Sequence, residues 1–401
     1  MPRTPLDILT TLVTRPERIV CGIMSGTSVD AVDVALLRLR GSGNALSLEV
    51  LHYSETLYAE ELQNRIFANA EVASSNVNDI CLLHTALAHV YAAAVRACVH
   101  EAGMEIEDVD LIGMHGQTLR HLPAAMSIAG HDVCSTLQIG SGPTLATLLQ
   151  VPVVYDFRSG DMALGGQGAP LLPYTDALLF SSKEEHRVLL NIGGIANCSI
   201  LPRGCAAADV VAFDTGPGNM MVDALMRRFY GREFDKDGKV ASTGNVHPDL
   251  LTWLRQHPYY RQPLPKSTGR ELFGEDYLQD YLHVAAELGL REPADLVATA
   301  AEITVRSITA QLRVFAEEWQ GFRLFVSGGG AHNRYFLEGL RYGLPNARVD
   351  SSSALGIDPD AKEAVAFAVL ANEWLMGNCA ALPGVTGVRR PALLGALAIP
   401  A

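Results

Sequence analysis

The sequence predicts an α/β protein of two halves, each opening on strands and continuing into helices, and three observations carry that expectation. The chain has 401 residues, more than one ordinary hydrophobic core organises, so two domains flanking a cleft are expected. Apolar runs of strand type followed by helical periodicity occur twice, without visible sequence repetition. Three glycine-rich turns, at 22–30, 213–219 and 326–331, each follow such an apolar run. The boundary falls near Tyr155, giving domains of residues 1–155 and 156–401.

Taken in order, residues 6–13 form a short helical extension. They are broken by Asp7 and followed by Arg15, Pro16, Glu17 and Arg18, unlike a secretory signal. Branched apolar residues predict strands at 18–24 and 32–39, joined as a glycine-turned hairpin, with a third strand at 46–53. Helices follow at 59–67 and 77–102, then buried strands at 111–114 and 152–155. The polar, glycine-rich run 156–167 reads as a crossing that lines the cleft. The second half repeats the order, with strands at 188–192, 198–201 and 210–213 and a helix over 220–230. Helices at 277–288 and 295–319, a short strand at 324–326 and a helix at 333–340 complete it. The final helix, 361–376, is expected to pack back on the first half.

Composition narrows the function classes. At 48% apolar and 19% charged residues, the chain is globular rather than disordered. Its net charge of −13 repels nucleic acid and anionic membrane surfaces at long range. No run of about 18 apolar residues predicts a membrane span. The seven cysteines are scattered without a CxxC pair, which fits reduced thiols in a cytoplasm.

The glycine turns carry the chemistry. Ser25, Thr27 and Ser28 around Gly26 offer N–H and O–H donors to phosphate oxygens. Asp30 and Asp33 suit Mg²⁺ held through water, because that ion keeps much of its hydration. A tight turn closed by local Asx and Ser hydrogen bonds is the alternative. Asp214 lies at a strand end, with Gly216 and Gly218 leaving the approach clear, and is the candidate general base. Helix capping is its alternative, although Asn219 suits that role better. Gly328, Gly329 and Gly330 would let a base or ribose lie against backbone. Together these turns point to phosphoryl transfer. Lys266, in the basic loop 266–270, reads either as a phosphate ligand or as solvated surface. His115 and Gln117, with Arg158, Asp161 and Gln167, have the polarity of a carbohydrate pocket, or of ordinary loop hydrogen bonding. His332 has no metal-ligand partner at useful spacing.

At these residues the chain resembles the anhydro-N-acetylmuramic acid kinase family. The likeness runs from Gly22 to Gly395 through Met24-Ser25-Gly26-Thr27-Ser28, His115-Gly116-Gln117-Thr118, Gly165-Gly166-Gln167-Gly168, Asn191-Ile192-Gly193-Gly194, 213–219, 265–270 and 326–330. The resemblance implies two ribonuclease-H-like domains of the actin, sugar-kinase and heat-shock ATPase superfamily around a nucleotide cleft. It implies ATP and Mg²⁺ as cofactors and 1,6-anhydro-N-acetylmuramic acid as substrate, with the products N-acetylmuramic acid 6-phosphate and ADP. The family's base falls on Asp214. Its ATP loop falls on Gly26, Thr27, Ser28, Val29, Asp30, Ala31, Val32 and Asp33, and the nucleotide set is completed by Gly216, Gly218, Asn219, Lys266 and Gly328–Gly330. Its sugar contacts fall on His115, Gln117, Arg158, Asp161 and Gln167. Ala31 replaces a common glycine, and Ser159-Gly160 replaces an often arginine-rich stretch. A homodimer is one assembly open to such a protein. Two other functions stay open: an ordinary hexose or amino-sugar kinase, and an ATP-dependent switch without sugar turnover.

Overall fold

A computed structural model describes residues 4–400. The chain forms two compact units, one built from the chain up to Leu178 and again from Asp360 onward, the other from Leu179–Pro359. The first unit therefore extends past the sequence boundary at 155. The short helices Ser159–Ala163 and Leu172–Phe180 follow the last strand of its first stretch, and Asp176 in the second of these pairs with Lys362.

The sheet of the first unit contains β1 (Glu17–Ser25), β2 (Ala31–Arg40), β3 (Ser47–Leu57), β4 (Leu111–Ile128), β5 (His131–Ile139), β6 (Val153–Tyr155) and the C-terminal β12 (Ala396–Ala398). Its order is β12-β6-β4-β1-β2-β3, with β5 on β4. The β1–β2 and β2–β3 pairs are antiparallel, while β1–β4 and β4–β6 are parallel. The second sheet, β7 (Arg187–Ile192), β8 (Ile195–Leu201), β9 (Val211–Pro217), β10 (Phe322–Ser327) and β11 (Ala347–Ser351), runs β11-β10-β7-β8-β9. Its directions repeat those of the first. A meander of three strands whose first strand is extended on its other side by two successive parallel strands is the ribonuclease-H-like topology, and it occurs once in each unit.

Each sheet has its own core. In the first unit the helix Val77–Glu101 buries Leu83, Leu87, Tyr91, Val95 and Val99, spaced for one helical face. Among the described residues it is the one helix long and apolar enough to cross a membrane. That same apolar face belongs to the packed core with Ile23, Val34 and Ile112. The helix Lys362–Leu375 packs on β1 and β4. Gly22 and Gly113 are partners in the parallel register there. A Cβ at Gly22 would run into the Ala364 carbonyl, and one at Gly113 into the Phe367 carbonyl. The helix backbone thus lies directly on the sheet. In the second unit the long helix Pro293–Trp319 supplies Val297, Ala301, Ile308 and Leu312 to a core shared with Val188, Leu190 and Phe213.

Three strands escape sequence reasoning, β5, β11 and the C-terminal β12. β4 continues well past the expected residues 111–114, so His115–Thr118 lies on a strand rather than in a loop, and β5 pairs with its outer part. Register breaks between Leu122 and Met126 accommodate Pro123, whose missing N–H masks the strand pattern. The edge strand β11 carries Arg348 and Asp350 and also lacks an apolar signature.

Candidate active site

In the first unit the phosphate-turn candidate connects β1 to β2. Val29 N–H closes it on the Gly26 carbonyl at 3.2 Å. Val29 itself has φ of 57°, a left-handed conformation that a branched residue adopts only under constraint. Its side chain is buried and its carbonyl accepts from Gln63 Nε2 at 2.9 Å. Val29, Ala31 and Val32 turn their side chains into the core, so only their backbone can serve a ligand. Gly26, Thr27 and Ser28 form the outer part of the turn, and a Cβ at Gly26 would meet nothing closer than Ser28 Oγ at 3.7 Å. Ser25 departs from the phosphate role: it is buried, donating to Gln117 Oε1 and bonded to Tyr58 OH. Gln117 Nε2 then donates to the Gly26 carbonyl at 3.1 Å. Gln117 is fully buried, and thus supports the turn rather than a sugar.

Asp30 is exposed, whereas Asp33 Oδ1 accepts from Tyr53 OH at 2.8 Å. Burial, then the nearby Glu55 and Asp360 carboxylates, raise the Asp33 carboxyl against the lowering effect of Tyr53. Among the described residues no three His, Cys, Asp or Glu side chains converge on a metal position. One or two carboxylates are the usual protein share of a Mg²⁺ site, and Asp30 and Asp33 fit an ion that keeps much of its water.

His115 and Arg158 form the centre of the second cluster. Arg158 donates from Nε (3.1 Å) and one terminal nitrogen (2.8 Å) to His115 Nε2, and from the other to the Gly168 carbonyl at 2.7 Å. His115 Nε2 is therefore an acceptor, and the ring proton sits on Nδ1. Burial, reinforced by the Arg158 charge, pushes His115 down to about 3, so the imidazole is neutral. Arg158 is lowered to about 10, chiefly by burial, and stays charged at neutral pH. Its direct hydrogen-bond partners are neutral, and the nearby Glu363 and Asp161 carboxylates favour its charged form. Asp161 departs from the expected sugar contact. It is fully buried, with Oδ1 taken by Thr386 Oγ1 (2.6 Å) and Oδ2 by Gly168 N–H (2.7 Å). Gln167, partly exposed, donates its backbone N–H to the Thr386 carbonyl at 2.9 Å.

In the second unit Asp214 sits on β9, where its backbone is held from both sides. Its N–H donates to the Lys266 carbonyl at 3.0 Å, and its carbonyl accepts from Tyr259 OH at 2.7 Å. Thr268 N–H donates to Asp214 Oδ2 at 2.8 Å, which stabilises the ionised carboxylate and fixes its orientation. Lys266 does not extend to solvent. Its amine is buried over the Tyr259 ring, 4.7 Å from the centroid, and donates to the Tyr259 carbonyl at 3.3 Å. Burial lowers its pKa, as expected of an ammonium with so little hydration. Asn219 precedes the helix Met220–Tyr230 without capping it; its Nδ2 donates to the Ile192 carbonyl at 3.0 Å. Gly218 has no room for a side chain against the Gly193 carbonyl.

The glycine triplet divides by role. Gly328, at φ of 75°, is packed against Asn191 and Ile192, and Gly330 against Ile192. Gly329 alone has open space, with Asn219 Nδ2 3.6 Å from where its Cβ would be. His332 ends the short turn Gly329–His332. Tyr53, Tyr58, Tyr259 and Thr386 all support these clusters, and nothing in their local sequence context marks them.

The family description Anhydro-N-acetylmuramic acid kinase matches residues 18–400. A protein of that name from Salinibacter ruber is 46% identical over 98% of this chain and 100% of its own length. Another from Caldanaerobacter subterraneus subsp. tengcongensis is 39% identical over 98% of this chain and 100% of its own. Among solved structures, a ROK family glucokinase from Streptomyces griseus in complex with glucose and AMPPNP superposes with TM-score 0.39 at 13% identity. That alignment covers 88% of this chain and 99% of that one. The fold assignment rests on the sheet order instead.

Proposed function

The chain belongs to the anhydro-N-acetylmuramic acid kinase family, and from that membership we propose that it converts 1,6-anhydro-N-acetylmuramic acid, ATP and water to N-acetylmuramic acid 6-phosphate and ADP. The observation that carries the reading is Asp214, a carboxylate held on a strand with one oxygen engaged by Thr268 N–H. Asp214 takes a proton from water as the water oxygen bonds to the anomeric carbon. The bond from that carbon to O6 breaks, and O6 receives the γ-phosphoryl group as ADP departs. Backbone and hydroxyl donors of Gly26, Thr27 and Ser28 hold phosphate oxygens, and Gly329 lets the nucleoside approach. Arg158 and Gln167 face the sugar, with the guanidinium suited to its carboxylate. Mg²⁺ bound through water at Asp30 and Asp33 would neutralise phosphate charge. The seven unpaired cysteines support a cytoplasmic setting, and the product chemistry supports a role in recycling cell-wall sugars.

Turnover in ¹⁸O-labelled water followed by mass spectrometry tests the reaction. Label in the sugar part of the phosphorylated product is expected. Phosphorylated product without that label shows a simple kinase, and ADP release indifferent to the sugar shows an ATPase.

A further inference from the structure

The segment around Thr386 lies more than two hundred positions from the loop 164–168 in sequence, yet it grips that loop at three points and the preceding Asp161 at a fourth. Thr386 Oγ1 donates to Asp161 Oδ1 at 2.6 Å, and its carbonyl accepts from Gln167 N–H at 2.9 Å. Arg389 donates to the Leu164 carbonyl twice, from its backbone N–H at 3.1 Å and from Nε at 2.9 Å. Asp161 extends the grip by accepting from Gly168 N–H at 2.7 Å, while Arg158 holds the Gly168 carbonyl from the other side. Both central residues are out of solvent, Asp161 at 0% and Thr386 at 3% exposure. A Cβ at Gly166 would collide with Asp161 Oδ2, so the loop closes tightly over the carboxylate.

A carboxylate sealed from solvent with both oxygens engaged by its own chain is not exposed to a ligand, and losing either donor leaves costly unsatisfied charge. We propose that Asp161 and Thr386 are positioning residues: they fix the loop 164–168 against the C-terminal segment and thereby set affinity for the anhydro sugar without touching it. This rests on the reading of Gln167 as facing the sugar. The nucleotide elements at Gly26–Ser28 and Gly329 make none of these contacts, so the effect is confined to one substrate.

The test compares Thr386→Val, which keeps shape and removes the hydroxyl, with Thr386→Ser, which keeps the hydroxyl. Thr386→Val is expected to raise KM for the anhydro sugar about ten- to a hundredfold, the worth of one hydrogen bond to a buried charge. KM for ATP should stay at the wild-type value, and Thr386→Ser should restore sugar KM. A Thr386→Val enzyme with wild-type sugar KM, or with both KM values raised together, overturns the proposal. Amide hydrogen exchange of the wild-type protein gives an arm independent of any variant. Protection of the Gln167 and Gly168 amides supports the clamp, and exchange as fast as at the exposed Gly130 turn overturns it. Wild-type protein that leaves the anhydro sugar unchanged defeats the proposed function instead, and the exchange arm still decides the clamp.

Discussion

Burial and the Arg158 charge push His115 from its ordinary 6.5 down to about 3, which makes this residue a term in the pH dependence of stability. Above about pH 6.5 the ring is neutral whether the chain is folded or unfolded, and its contribution is fully present. As pH falls toward 3, the unfolded chain takes up a proton that the folded chain refuses, so stability is lost. A His115→Gln variant should therefore decline less steeply between about pH 6.5 and 4, by up to roughly 1.4 kcal/mol per pH unit. Urea midpoints of both proteins across that range check this, and parallel curves would refute the assignment. For Asp214→Asn, turnover should fall by about 10²–10⁴, because the amide keeps the size and loses the base. ATP affinity measured by calorimetry should persist. Wild-type turnover in that variant would remove Asp214 from the chemistry. Asp214 stands out in the sequence as an acid that follows an apolar run and precedes two glycines, although β9 continues to Pro217 and places it in mid-strand rather than at a strand end. Asp161 misleads for the opposite reason: a polar residue in a glycine-rich stretch looks available until Thr386 and Gly168 N–H occupy both its oxygens.

At the scale of elements, the two sheets were accessible from apolar runs bounded by glycine turns. The strands that escaped were those whose pairing, not composition, creates them: the outer half of β4, its partner β5 and the edge strands β11 and β12. The seating of the helix Lys362–Leu375 was equally hidden, since Gly22 and Gly113 become a matched pair only once β1 and β4 lie side by side. Gly22→Ala or Gly113→Ala should destabilise the first unit by about 1–3 kcal/mol through overpacking, read as a lower urea midpoint. An unchanged midpoint would mean that the helix can lift without cost. The triplet at 328–330 gives a sharper contrast. Gly329→Val has space and should yield a folded protein with weakened ATP binding, whereas Gly330→Val meets Ile192 and should lower thermal stability. If the two variants lost stability equally, the nucleotide reading of Gly329 would lose its support.

At the scale of the whole molecule, the second unit is one continuous stretch, Leu179–Pro359, inserted into the first. It has its own sheet and core, so a fragment of residues 179–359 should unfold cooperatively by itself. A broad, non-cooperative urea transition would show that its core is insufficient. The first unit has a different history during synthesis. Its strands through β6 are complete once residue 155 has been made, but the helix that covers Gly22 and Gly113 begins at Lys362. At about 5–20 residues per second, the intervening stretch takes roughly ten to forty seconds to translate. Throughout that interval the sheet face lacks the cover of its own C-terminal helix, while the chain of the inserted unit is still being made. The half of the protein that starts first is thus the half that finishes last.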